Sequence, residues 1–318
     1  MSDIRLLIAN NGVADEPILA DKIEWSTEIK GSPGKLVFTV TKDDIISFQE
    51  GNHVALRVDG VDVFYGFVFT KTRDKQNNIK VTAYDQIRYL KNKDTYYYAN
   101  KSPEQLIEMI AKDYNLQIGS LESMGYTISK RKEINKPLID IIQTALDLAL
   151  QDTGELYVLY DDYGKLTLKN VENMKLNVIV DPDTAENFDY TTSIDSNSYN
   201  KIKLSYDNSA AGTRDIYIAE STDSQNRWGI LQYFEDIKND KLAKQKANQL
   251  LKLYNNKSRS LTLKNVIGDV RVRGGSSLGV RLDLGDIIAN YRMIVERVTH
   301  TFADNEHLMN ITVKGWEA

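Results

Sequence analysis

The sequence predicts a β-rich α+β fold in which two β-barrels flank a small α+β domain. Three observations carry that expectation. Residues 1–95 read as short alternating strands separated by turn residues. Residues 96–176 switch to helical spacing and then to a hairpin. The remainder returns to strands, and its last eight residues, ITVKGWEA, echo IKVTAYD at 79–85. The expected domains are therefore a first barrel at 1–95, an α+β domain at 96–176, an extended linker at 177–200, and a second barrel with one long helix at 201–318.

Each element has a local cause. Ile4 to Ala9 is a short apolar strand. After the GSPG turn at Gly31 to Gly34, Leu36, Phe38 and Val40 alternate onto one face of a strand. Asp59-Gly60 joins two alternating runs, a strong hairpin signal, and DKQNN at Asp74 to Asn78 makes the next turn. Ser102-Pro103-Glu104-Gln105 is a helix start, with serine as N-cap, proline at the first helical position and glutamine closing a capping box. A second helix opens near Pro137 with Leu138, Ile142, Ala145 and Ala149 on one face, and Gly154 stops it. GELYVLYDDYGKLTLKNV is a hairpin turning at Asp161 to Gly164. Val178 to Asn200, rich in Asp, Thr, Ser and Asn, reads as a linker or an extended crossing segment. Lys238 to Tyr254 is the long helix, and strands are expected at Ser260 to Asn265, Gly279 to Leu284, Arg292 to Phe302 and His307 to Val313.

The echo extends backwards from the closing strand. Gly51 matches Gly285, Asn52 matches Asp286, Ala55 matches Ala289 and Ile79 matches Ile311. Few positions are identical, so two unrelated β-meanders would also produce it. The corresponding placement of the two stretches, each closing its own barrel, favours a duplication.

Composition narrows the function classes. The net charge of −5 argues against nucleic-acid binding through phosphate contacts, which needs a basic face. Without cysteine there is no disulfide, thiol nucleophile or thiolate metal site. MSDIRLLIANNG does not read as a signal peptide, and no apolar run approaches the ~20 residues of a membrane helix. A soluble protein assembled in the cytoplasm is expected.

Five motifs could carry chemistry, and each has a structural reading that the sequence favours. His300 and His307 flank the turn ADNE, but a metal site needs further ligands, and His300 alternates with Val298 and Phe302. RVRGGSSLG at 271–279 lacks the ending of a phosphate loop and reads as a turn. Asp43-Asp44 and Asp161-Asp162 are adjacent acids in turns, not the opposed pair of a glycosidase. Tyr96-Tyr97-Tyr98 suits a core or interface better than carbohydrate stacking. The basic run SKRKE at 129–133 reads as a solvated loop, with an acidic partner as the alternative. No catalytic, cofactor-binding or metal residue is expected, so the chain reads as a non-enzyme without cofactors.

Three strings are distinctive: YGFVFTKTRDKQNNIKVTAYDQIRYLKNKDTYYY, ALDLALQDTGELYVLYDDYGKLTLKN and VERVTHTFADNEHLMNITV. Together they resemble the tail hub proteins of contractile phages, of PBSX-like defective prophages and of phage-tail-like (R-type) bacteriocins of Gram-positive bacteria. The last string, with Val295, Val298, His300, Phe302, His307 and Met309, is also similar to the wider hub family of contractile injection systems. The resemblance spans essentially the whole chain.

It implies a homotrimer at the centre of a baseplate, assembled in the bacterial cytoplasm. The two barrels would be tube-protein-like, so three chains would present six near-equivalent surfaces and join the six-fold tail tube to the three-fold spike. The implied partners are the tail tube protein, the spike protein and other baseplate proteins binding the 96–176 domain, with no membrane and no specific nucleic acid. Spike and wall-hydrolase functions would come from separate partners. A carbohydrate-binding or adhesive β-module is the alternative, and a peptidoglycan hydrolase a more distant one.

Overall fold

The computed structural model describes residues 3–10, 12–42, 47–195, 198–208, 212–237, 240–304 and 306–314. It is mostly β, 54% strand and 19% helix. Residues 43 and 44, Asn305 and the final GWEA lie outside the described residues. The chain forms two compact units, one of residues 1–189 with 262–318 and one of 190–261.

The first unit begins with β1 (Ile4–Asn10), β2 (Val13–Asp15), β3 (Ile23–Glu28), β4 (Lys35–Thr41), β5 (His53–Val58), β6 (Val61–Arg73) and β7 (Asn78–Tyr84). In β4 the alternation works as written: Leu36, Phe38 and Val40 are buried while their neighbours are not. The turn between β5 and β6 places Asp59 and Gly60 at φ 51° and 77°, as a two-residue hairpin of this sense requires.

A helical section follows: β8 (Lys93–Lys101), α1 (Pro103–Asp113), β9 (Ile118–Leu121), β10 (Ile128–Pro137), α2 (Leu138–Thr153), β11 (Tyr157–Asp161) and β12 (Leu166–Asn170). Ser102 and Gln105 make the reciprocal capping box. Gly154, at φ 74°, ends α2. Leu106, Ile107 and Ile110 of α1 and Leu138, Ile142, Ala145 and Ala149 of α2 share a core of their own with Tyr96, Tyr98, Leu166 and Leu168.

After β13 (Lys175–Val180) and β14 (Ala185–Ser193), the chain builds its second unit from β15 (Lys201–Asn208), β16 (Thr213–Glu220), α3 (Thr222–Trp228), β17 (Gln232–Ile237) and α4 (Ala243–Tyr254). The sheet order is β16-β15-β17, with β17 parallel to β15. Ala247, Leu250 and Leu251 of α4 pack on Ile202 and Leu204 of β15. Residues 177–193, expected as a linker or crossing segment, are thus largely strand. Residues 201–254, expected inside the second barrel, have a separate small sheet and core. The cause is the choice of partner: β15 takes both its neighbours from 213–237, the strands that directly follow it, rather than from β18 to β21.

The chain returns through β18 (Ser258–Ile267) to β19 (Ser277–Asp283), β20 (Ile288–Ala303) and β21 (Glu306–Lys314). A 13-stranded sheet runs β14-β18-β21-β20-β3-β4-β7-β6-β5-β1-β2, with β19 beside β20 and β13 beside β19. The order β4-β7-β6-β5 therefore recurs as β18-β21-β20-β19. Both long strands carry a bulge at the corresponding place, between Val68 and Thr70 and between Val295 and Arg297. No sheet closes among the described residues, so the two sets are joined edge to edge where β20 pairs with β3. Phe302 of β20 even lies in the core of the first set.

The repeat has a different register from the one the sequence suggests. Gly51 donates to Val68 O and receives no counterpart in Gly285; the equivalent bond is Gly275 N to Val295 O. Gly51 and Gly275 stand at φ 88° and 93°, each just before the strand that pairs with the long one. Gly285 sits instead in the β19–β20 hairpin. Likewise Val81 and Ala83 correspond to Ile311 and Val313, so the echo of Ile79 in Ile311 is two residues out. A two-residue slip preserves the face of every side chain, which is why the strings look alike in either alignment.

Candidate functional site

Sequence order puts β3 and β20 far apart, yet their pairing, from Arg297 opposite Glu28 to Phe302 opposite Ile23, joins the two strand sets. His300 stands opposite Trp25 in that ladder, fully buried, with the rings stacked at 4.5 Å. Its Nε2 is 2.8 Å from Val272 O and its Nδ1 is 2.9 Å from His307 Nε2. Since a carbonyl can only accept, His300 donates from Nε2, and its Nδ1 accepts from His307. Both imidazoles are neutral in this arrangement. Burial first, then the adjacent His307, pushes the His300 pKa down to about 3, and burial also lowers that of His307. Among the described residues no three His, Cys, Asp or Glu side chains are placed to hold a metal ion. The geometry of the histidine pair is that of a packed, hydrogen-bonded core.

The glycine-rich string 271–279 is a turn at Gly274–Gly275, and it presses against the end of β3. Gly274 N donates to Thr27 Oγ1 at 2.9 Å. A Cβ on Gly274 would lie 2.3 Å from the Glu28 carbonyl carbon and 2.6 Å from Ile29 N, both backbone atoms. Gly274→Ala is therefore expected to cost about 2–3 kcal/mol of stability. Gly285→Ala, with open space around it but φ 91°, is expected to cost only about 1 kcal/mol. Urea unfolding of both variants compares the two; equal losses would remove the close-packing argument.

The same turn carries Arg273, which reaches a buried polar cluster. Its Nη2 donates to Asp161 O at 2.6 Å, and its guanidinium lies 3.9 Å from the Tyr160 ring centre. Asp85 caps the turn after β7, accepting from Gly34 N and Ile87 N. Asp161 accepts from Gly164 N at 2.6 Å. Burial raises both carboxyl pKa values, Asp161 to about 6 and Asp85 well above its ordinary value, the latter also through the Asp161 charge. Arg273 opposes both shifts. Asp161 Oδ2 and Arg273 Nε have no hydrogen-bond partner in the described structure. The sequence marked Asp161 only as one of two turn acids and Asp85 only as the last letter of the IKVTAYD echo; Trp25 carried no signal.

The other marked motifs are placed as follows. Tyr96 and Tyr98 are buried in the α+β core and Tyr97 is exposed, the alternation of a strand. The basic run 129–133, expected in a loop, lies on β10. There Arg131 and Lys136 pair with buried Glu133 at 2.8 Å each. Burial works against the Glu133 charge, but Lys136 and Arg131 hydrogen bonds hold its pKa below the usual range. A cleft of about 350 Å³ opens beside His53, Tyr65, Phe67, Tyr89 and Tyr114.

A model of a family described as YQBQ-like matches residues 23–314. The phage-like element PBSX protein XkdQ of Bacillus subtilis is 30% identical over 276 residues, 84% of this chain and 82% of that protein. Among solved structures, the 43 kDa tail protein of prophage MuSo2 from Shewanella oneidensis superposes with a TM-score of 0.72 at 12% identity, covering 98% of both chains. An Escherichia coli component of the type VI secretion system, itself described as similar to the T4 tail proteins gp27 and gp5, gives 0.57 at 12% identity over 98% of this chain and 77% of that one. The shared property at these identities is the fold, that of phage tail proteins.

Proposed function

The chain belongs to the YQBQ-like family, and on that premise we propose that it is the structural hub of a contractile-tail or injection-particle baseplate. Three copies form a ring that presents six near-equivalent surfaces, joining a six-fold tail tube to a three-fold spike. The observation that carries this reading is the recurrence of β4-β7-β6-β5 as β18-β21-β20-β19 within one chain. A three-membered ring meets a six-membered one only if each member offers the contact twice, and a chain with one strand set written twice can do so.

In this reading the set β3 to β7 and the set of β14 with β18 to β21 supply the two tube-like parts, and residues 96–176 bind other baseplate proteins. The chain acts by assembly, without a cofactor or a catalytic group. The partners are the tail tube protein, the spike protein and the surrounding baseplate proteins, in a particle assembled in the bacterial cytoplasm. The solution mass of the purified chain, alone and mixed with its neighbouring tail proteins, is the test. A trimer, or trimer formation on adding the spike or tube partner, is expected. A chain that stays monomeric with every tail partner would sink the hub reading.

The aromatic cleft beside Tyr65, Phe67 and Tyr89 favours a second reading, a carbohydrate-binding module of a tail. Glycan-array binding by a stable monomer would establish it in place of the hub.

A further inference from the structure

The internal junction between the strand sets leaves a matching one unfilled. On β20, Ile294 pairs with β19 on one side and β21 on the other. Past Ser276, which precedes β19 and receives the Val295 N–H, the edge on the β19 side is taken by β3, over Arg297–Phe302. On β6, Phe67 pairs with β5 on one side and β7 on the other. Past Asn52, which receives the Val68 N–H, β7 continues along Thr70–Arg73, but the β5-side edge of that stretch has no strand among the described residues. Among the described residues the socket that β3 fills on β20 holds no strand on β6, where only the Lys71 side chain reaches across, to Phe48 and Glu50.

The strand that would fill it is also in hand. β3 lies between β4 and β20. Its counterpart in the second set is β14, which lies beside β18 as β3 lies beside β4. Yet among the described residues β14 ends the sheet, with one strand neighbour instead of two. Within one chain, one plug sits in one socket, while the other plug and the other socket stand apart in the sheet order.

Charge agrees with this match. In the filled junction the base is on β20 and the acid on β3: Arg297 Nη2 meets Glu28 Oε1 at 2.6 Å. In the open one, Arg73 and Lys75 are exposed at the end of β6 and in its turn. Asp183, Glu186 and Asp189 are exposed on β14 and in the turn before it. The polarity is the same, base on the long strand and acid on the plug, with Asp74 between the two bases held by Asn78, and with Asp189 and Glu186 also bonded to Lys264 and Asn265 of β18.

We propose that β14 of one copy adds to the open edge of β6 in a second copy, repeating between chains the β3–β20 pairing made within each. This inference rests on the hub reading and names the contact that closes its ring. The contact is heterologous, a plug on one copy and a socket on the next, so it propagates until the rotation closes. Backbone hydrogen bonds from an added strand supply affinity, and the charges select the partner. It also covers an exposed edge that a soluble chain would otherwise have to protect.

The test exploits the charge polarity. The socket variant is Arg73→Glu with Lys75→Glu, and the plug variant is Asp183→Lys with Glu186→Lys. Each is expected to raise the dissociation constant of the oligomer by roughly a hundredfold, read by light scattering over a dilution series. All four changes in one chain are expected to restore the oligomer, an outcome that a folding defect does not give. Because the chain lacks cysteine, Lys75→Cys with Glu186→Cys and a flexible bismaleimide should give cross-linked ladders ending at three chains. Wild-type mass in both charge variants, or cross-linking within single chains only, would overturn the strand contact while leaving the hub reading intact. A wild-type chain that never oligomerises, with or without tail partners, would overturn both.

Discussion

Arg273→Met is expected to lower the unfolding free energy by about 3–5 kcal/mol at pH 7.5 and by clearly less at pH 5. The guanidinium is the cation nearest the buried carboxyls of Asp85 and Asp161, and its Nη2 satisfies the Asp161 carbonyl. Methionine keeps much of the volume against Tyr160 but leaves those carboxyls without a counter-charge. The sign follows from proton binding. Both carboxyls already have folded pKa values above their unfolded ones, so they bind more protons folded than unfolded. Their contribution to stability is most favourable below pH ~4 and is lost as pH rises, for Asp161 through about 6. Removing Arg273 raises both pKa values further and steepens that loss. Urea unfolding at the two pH values separates charge from packing: an equal penalty at both would mean that Arg273 acts only by filling space.

His300→Ala is expected to cost about 3–4 kcal/mol at pH 7.5 without abolishing any chemical activity. The substitution opens a cavity between Trp25 and Phe302 and leaves Val272 O and the His307 N–H without a partner. Here the pH dependence comes from the wild type. A histidine with a folded pKa of about 3 binds fewer protons folded than unfolded. Its stabilising effect is complete above pH ~6.5 and is lost as pH falls from there towards 3. The variant lacks that group, so the gap between the two proteins should narrow steadily on acidification. A constant gap from pH 7.5 to 4.5 would show that His300 is not held neutral, and a hydrolytic rate lost with the fold intact would contradict its structural role.

The two residues differ in how far the sequence revealed them. His300 could be placed because its neighbours at alternate positions, Val298 and Phe302, are apolar, so the strand period aims all three inward. That it meets Trp25 could not be placed, since β3 and β20 are brought together only by the sheet. Arg273 read as part of a polar turn. Its burial depends on the turn folding against Asp85 and Asp161, from two other parts of the chain.

The sequence by itself determined the local elements of this protein. Ser102 to Gln105 caps a helix, Gly154 ends one, Asp59-Gly60 turns a hairpin, and Leu36, Phe38 and Val40 share a face. Each follows from interactions within a few residues. It pointed to one strand pattern written twice but equally allowed two unrelated meanders, because any strand facing a core repeats with a period of two. Only the tertiary structure decided the register of that repeat, pairing Gly51 with Gly275 where the letters suggest Gly285. It likewise decided that β15 to β17 form their own sheet and that β3 crosses to β20. A strand's backbone can pair with any other strand, so the choice among partners falls to side-chain packing and loop geometry across the whole chain. The same property leaves the edges of β14 and β6 able to accept a strand from outside.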